Sequence, residues 1–125
     1  MIADTTFVSD LFNERRKARP GPAMDFFHRH RAQKIRLTII TAGEILLWFD
    51  DSTHGWEQLK PWTIYRLHPD VVKAAADIDR ALIASGRRLG ENDNWIAGFA
   101  RCYREPLISR AAAFDRAPGV RRIIY

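Results

Sequence analysis

Met1-Ile2-Ala3-Asp4-Thr5-Thr6-Phe7-Val8-Ser9-Asp10-Leu11-Phe12 is the stretch whose reading decides the fold. An apolar opening meets its first charge at Asp4, and Phe7, Val8, Leu11 and Phe12 then recur at helical spacing. A short buried strand that gives way to an amphipathic helix is the start of a strand–helix unit. Pro20-Gly21-Pro22 breaks the chain, and Pro22 starts a further helix through Met24, Phe26 and Phe27. The alternation then repeats. Ile35 to Ile40 reads as the second strand, and Thr41 or its neighbour caps a helix carrying Ile45, Leu46, Trp48 and Phe49. The polar run from Asp50 to Gly55 reads as a loop. Thr63 to Leu67 is a short strand, followed by a helix with Val71, Ala75, Ile78 and Leu82 on one face. Gly86 and Gly90 flank a basic turn before an amphipathic helix from Asn92 to Tyr103. Pro106 to Ser109 and Val120 to Tyr125 supply the last strands. Strands alternating with helices predict an α/β class, as a three-layer α/β/α domain with a mostly parallel sheet.

The chain has 125 residues and 46% hydrophobic content, which suits one domain spanning 1–125. No apolar run approaches the roughly 18 residues of a membrane helix, so no membrane association is expected. A first strand beginning at Met1 leaves no room for a secretory leader. Cys102 is the lone cysteine, which excludes an internal disulfide and fits a reducing cytoplasm. The formal charge of +5 permits a polyanionic partner, most commonly nucleic acid. Gly-x-Gly-x-x-Gly and P-loop patterns are missing, which argues against dinucleotide and nucleoside triphosphate enzymes. There is no Gly-x-Ser-x-Gly elbow and no Cys–His arrangement for a hydrolase. His28, His30, His54 and His68 lack zinc-ligand spacing.

Asp4, Glu44 and Asp93 are the acids that stand where such a domain gathers chemistry. Asp4 ends the first strand, Glu44 stands just after the β-branched run from Leu37 to Thr41, and Asp93 opens a helix. In an open parallel sheet, ligands bind outside the carboxyl ends of the strands. A carboxylate among apolar residues is costly unless its charge is compensated, and a hard divalent cation is the natural compensator for several of them. Plainer readings exist: Asp4 as a helix N-cap and Asp93 as a first-turn acid favoured by the helix dipole. Glu44, amid Ile45, Leu46 and Leu47, is explained only if its turn of helix is solvated. Three basic clusters, Arg15-Arg16-Lys17 with Arg19, Arg87-Arg88, and Arg110, are either solvated faces or a cradle for a phosphate backbone around the same crevice. The rings of Trp56, Trp62 and Tyr65 are read as packing surfaces before stacking platforms.

Four fragments in order resemble the PIN-domain ribonucleases, especially the VapC-type toxins of prokaryotic toxin–antitoxin pairs. They are Ile2-Ala3-Asp4-Thr5, Thr41-Ala42-Gly43-Glu44-Ile45, Asp93-Asn94-Trp95-Ile96-Ala97-Gly98, and Pro106-Leu107-Ile108-Ser109-Arg110-Ala111-Ala112-Ala113-Phe114 with Pro118-Gly119-Val120. The resemblance implies a metal-dependent endoribonuclease holding Mg²⁺ or Mn²⁺ through Asp4, Glu44 and Asp93, which should converge within a few Å of a common point. Thr5, Thr6 and Ser109 would orient those carboxylates, and Arg15, Arg16, Arg87, Arg88 and Arg110 would face RNA. It also implies a homodimer and a small cognate antitoxin.

This chain departs from the family's pattern in three places. Thr6 stands where Asn is common, the segment from Leu46 to Arg66 matches poorly, and the fourth acid is replaced by Ala113, with Ala111 at the motif's other polar position. Asp115 could substitute only through a rearranged backbone. The alternative is therefore a PIN-like module that has lost catalysis and binds RNA or protein.

Overall fold

A computed structural model describes residues 1–125. Strands β1 (Ile2–Ala3), β2 (Arg36–Thr38), β3 (Thr63–Tyr65), β4 (Leu107–Ile108) and β5 (Arg122–Ile123) form one sheet in the order β3-β2-β1-β4-β5. Every pairing is parallel, with Ile2 opposite both Arg36 and Leu107. Six helices connect and cover the strands: α1 (Thr5–Arg16), α2 (Pro22–Arg29), α3 (Ile39–Leu46), α4 (Ser52–Leu59), α5 (Pro69–Ala84) and α6 (Glu91–Tyr103).

Successive strand residues point to opposite faces, and the two central strands divide their side chains accordingly. Ile2 and Leu107 enter a cluster with Val71 and Ile78 of α5 and Ile96 and Phe99 of α6. Ala3 and Ile108 enter a second cluster with Phe7 and Leu11 of α1, Phe26 of α2, Ile45 of α3 and Leu59 of α4. The sheet is thus the middle of three layers. Phe7, Phe26, Phe99 and Phe114 are fully buried, and each contributes about 1.5–3 kcal/mol of transfer free energy. No helix is long and apolar enough to cross a membrane.

The boundaries differ from expectation in the middle of the chain. β2 stops at Thr38, whose hydroxyl accepts from the Thr41 backbone N–H at 3.0 Å and caps α3. Ile39 and Ile40, expected in the strand, are therefore helical, and they pack against the α5–α6 cluster. Tertiary packing here outweighs the β preference of branched side chains. Helix α3 consequently ends at Leu46, and Trp48 and Phe49 lie beyond it.

The expected loop at 50–55 is mostly helix α4. The Asp51 carboxylate accepts from the backbone N–H groups of Thr53 and His54, and so starts the helix. Gly55 lets this helix approach its neighbour: a Cβ there would lie 2.9 Å from both Leu46 and Phe49. After β4, a 3₁₀ turn at Ala112–Arg116 drives Phe114 into the core.

Parallel strands force each connection to run back along the sheet, so all strand carboxyl ends share one edge. The strand order reverses between β1 and β4. Such a switch point opens a crevice at the carboxyl edge, and Asp4 and Ser109 are the residues that leave these two strands.

Candidate functional site

Asp4 leaves β1 in extended conformation, and its Oδ1 accepts from the Phe7 backbone N–H at 2.8 Å. It is a helix N-cap, as the plainer reading held. The cap also fixes its direction, because the Ser109 hydroxyl donates to Oδ2 across the switch point. Ser109 is itself oriented by the Ala111 backbone N–H, which donates to its Oγ at 3.0 Å. Asp4 is only 3% exposed. Burial raises its carboxyl above the ordinary value; hydrogen bonds from Ser109, Phe7 and Thr6 oppose this, and the charge of Asp93 adds to it.

Asp93 sits in the first turn of α6, beside Glu91. Its carboxyl is also raised, first by desolvation and then by repulsion from Glu44. Glu44 is held at both oxygens: the Thr5 hydroxyl donates to Oε2, and Asn92 Nδ2 donates to Oε1 at 2.8 Å. The three acids therefore occupy one end of the sheet and act on one another in the sequence Asp4, Asp93, Glu44. No Lys or Arg forms an ion pair with any of them.

The side chains do not meet at a ready-made common point, because no group of three His, Cys, Asp or Glu is placed to hold a metal ion. Mutual repulsion favours this arrangement, in which Asp4 and Glu44 take hydrogen bonds from protein donors instead. The fourth-acid position adds nothing. Ala113 packs against the α5–α6 cluster, and both oxygens of Asp115 are taken by Arg122 at 2.8 and 2.6 Å. That pairing holds the Asp115 carboxyl below its ordinary value.

The donor set nevertheless fits one hard cation. Asp4 is a nearly buried carboxylate with no cationic partner, a costly condition that a divalent ion relieves. A carboxylate offers about four lone-pair sites, and the hydrogen bonds from Phe7, Ser109 and Thr6 leave one of them open. Mg²⁺ needs few carboxylates, since it retains several waters. Asp4 and Asp93 would hold such an ion, with Glu44 reaching it directly or through water.

The basic residues do not encircle the crevice as expected. Arg88 is tied to Asp79 by two hydrogen bonds of 2.8 Å. Arg110 is paired with Asp10 and lies over the Tyr125 ring at 5.1 Å, while the Tyr125 hydroxyl donates to the same Asp10 at 2.7 Å. Arg87 is exposed beside the start of α6. Arg15 and Arg16 are elsewhere: α1 begins at Asp4 and runs away from the crevice for 12 residues, a rise of about 18 Å. A helix that must return the chain to the start of the next parallel strand carries its last turn to the opposite edge.

Sequence reasoning missed Asn92, Asp10 and Tyr125. Asn92 carried a local signal, as a polar first-turn neighbour of Asp93. Asp10 and Tyr125 are separated by 115 positions, and nothing local links them.

No family model and no curated protein matches the sequence. The fold does have relatives. A chain of VapBC2 from Rickettsia felis, solved bound to a DNA fragment from the promoter, superposes with a TM-score of 0.83 at 15% identity, covering 99% of this chain and 97% of that one. A chain of VapBC-1 from nontypeable Haemophilus influenzae gives 0.80 at 17% identity, with 98% and 96% covered. A chain of FitAcB from Neisseria gonorrhoeae gives 0.76 at 19% identity, also with 98% and 96% covered. The five-stranded parallel sheet and its helices are an α/β/α PIN-type fold. A toxin–antitoxin complex from Klebsiella pneumoniae is also similar, with a TM-score of 0.67 at 22% identity, covering 95% of this chain and 93% of that one.

Proposed function

We propose that this protein is a metal-dependent endoribonuclease acting as the toxin of a VapC-like toxin–antitoxin pair. One observation carries the reading: Asp4, nearly buried and without a cationic partner, stands at the switch point, at the end of the sheet where Asp93 and Glu44 also lie. Two similar structures, VapBC-5 from Mycobacterium tuberculosis and a complex from Klebsiella pneumoniae, are toxin–antitoxin systems, which supports a cognate antitoxin here.

Asp4 and Asp93 would hold Mg²⁺ or Mn²⁺, with Glu44 as the third acid. When bound, the ion supplies an acidified water and offsets charge on the phosphate and the leaving oxygen. The protein's own part is positional. Ser109 and the start of α1 fix the two oxygens of Asp4, while Thr5 and Asn92 fix Glu44. Thr6 lies beside Asp4 and favours its ionised form. A pair of divalent ions brings four positive charges against three protein anions, so a single ion in the free protein is the expected occupancy. Exposed apolar side chains such as Leu47, Trp56 and Ile83 support a homodimer, which light scattering across the micromolar range would test.

Cleavage of a panel of structured RNAs, with Mn²⁺ and with chelator, tests the activity. Metal-dependent cleavage that is lost in Asp4→Asn supports the reading. Binding without cleavage at any metal concentration favours the second reading, a degenerate module, which the alanine at position 113 motivates.

A further inference from the structure

Away from the acids, α1, the end of α2, the link at 30–35 and the segment from Trp48 to Trp62 line an open groove of about 1190 Å³. Its lining contains no aspartate or glutamate, but it contains Arg15, Arg16, Arg31 and Lys34. None of these four cations is in an ion pair. The crevice is the reverse, since Arg88 and Arg110 are already neutralised there by Asp79 and Asp10. Aromatic rings lie among the free cations. Trp48 is 44% exposed and meets Phe12 edge-on, with ring centroids 6.3 Å apart. Trp62 faces Phe27 at 6.2 Å, and the Arg15 guanidinium lies over the Phe27 ring at 4.9 Å.

We propose that this groove is a binding site for single-stranded RNA, separate from the acidic crevice. Four unneutralised cations suit a phosphate backbone, whose condensed counterions are released on binding. Exposed rings accept unpaired bases by stacking without regard to sequence. Charge complementarity selects a polyanion, and the rings select one with flat apolar faces. Single-stranded RNA has both. Ser9 and Asn13 of α1 also line the groove. The same helix therefore joins it to Asp4, and RNA held there would approach the crevice along α1. The inference deepens the nuclease reading by assigning RNA capture to a surface other than the one that would cut.

The test measures binding in chelator, so that it is independent of cleavage. A fluorescein-labelled, mixed-sequence RNA 12-mer is titrated with the protein at several salt concentrations, and tryptophan emission is followed in parallel. Binding should quench emission, and its logarithmic salt slope should lie near −2 to −3, at about −0.7 per neutralised phosphate. Arg31→Ala with Lys34→Ala should reduce that slope by about 1.4. Trp48→Ala should weaken binding roughly 5- to 100-fold, the worth of one base–aromatic stack. Arg104→Ala, an exposed cation outside the groove, should change neither. Circular dichroism and melting of each variant establish that the fold survives.

RNA affinity that is indifferent to all the groove variants overturns the proposal. So does tryptophan emission that responds to an acidic, aromatic peptide but not to RNA, which would make the groove a protein-docking surface. Cleavage in Mn²⁺ with groove-independent binding sinks this inference alone. Groove-dependent binding with no cleavage sinks the nuclease reading and leaves the groove standing.

Discussion

The crevice and the groove are opposite solutions to charge within one small domain. At the crevice the acids have no cationic partners, and the nearby arginines are bound to other acids. In the groove the cations have no acidic partners at all. Net charge alone, +5 for the chain, could not have separated them. Charge follows helix direction: α1 starts on the acidic edge and ends beside the basic groove.

The hardest blow to the comparison would come from Asp4. Asp4→Asn should lower metal-dependent RNA cleavage by at least about 100-fold, roughly 2.7 kcal/mol in barrier, while RNA binding in chelator is retained. An amide keeps the cap by accepting from Phe7 and can donate to Ser109 Oγ, so the fold should survive. A variant that still cleaves would remove Asp4 from the chemistry.

Ala113→Asp tests the crevice from the other side. A carboxylate there should tighten Mn²⁺ binding about tenfold, near 1.4 kcal/mol, and raise cleavage. Calorimetry and the cleavage assay read the two effects separately. If neither quantity changes, the site is not built around a missing fourth acid.

Acidity offers a third probe. The carboxyls of Asp4 and Asp93 lie above their ordinary value of 3.8 in the folded protein. The folded state therefore binds these protons more tightly than the unfolded chain. The associated stability is full below that value and is lost as pH rises through the raised folded values. In chelator, wild-type melting temperature should gain from acidification in that window relative to Asp4→Asn. Mn²⁺ at 100 times its dissociation constant should add about 2.7 kcal/mol at neutral pH, through the wild type only. Parallel pH profiles for the two proteins would refute the idea that burial of Asp4 carries an electrostatic cost.

The smallest effect belongs to the paired arginine. Arg88→Ala should change RNA affinity by less than about twofold, because Asp79 already neutralises an exposed ion pair of little net worth. A loss comparable to that of Arg31→Ala with Lys34→Ala would erase the distinction between paired and free cations.

Much of the fold is legible locally. The apolar opening, the helical spacing from Phe7, the Pro22 start and the stripe Val71, Ala75, Ile78 and Leu82 all became the elements they suggested. Helix α4 was missed because Gly55 and a run of polar residues look like a loop, although Asp51 was a readable cap. Ile39 and Ile40 misled because branched residues suit strands, and only their packing against the α5–α6 layer made them helical.

By itself the sequence determined the alternation of strands and helices, hence a parallel sheet with its acids gathered on one edge. Periodicity and capping are short-range and can be read from neighbours. Tertiary structure alone decided the long-range partners, whereas pairs such as Lys60–Glu57 and Arg80–Asp77 are one helical turn apart. The contacts Arg110–Asp10, Tyr125–Asp10 and Ser109–Asp4 join residues 100 or more positions apart. Such pairings arise only when the strand order brings β1, β4 and the chain's end together, and no local spacing encodes them.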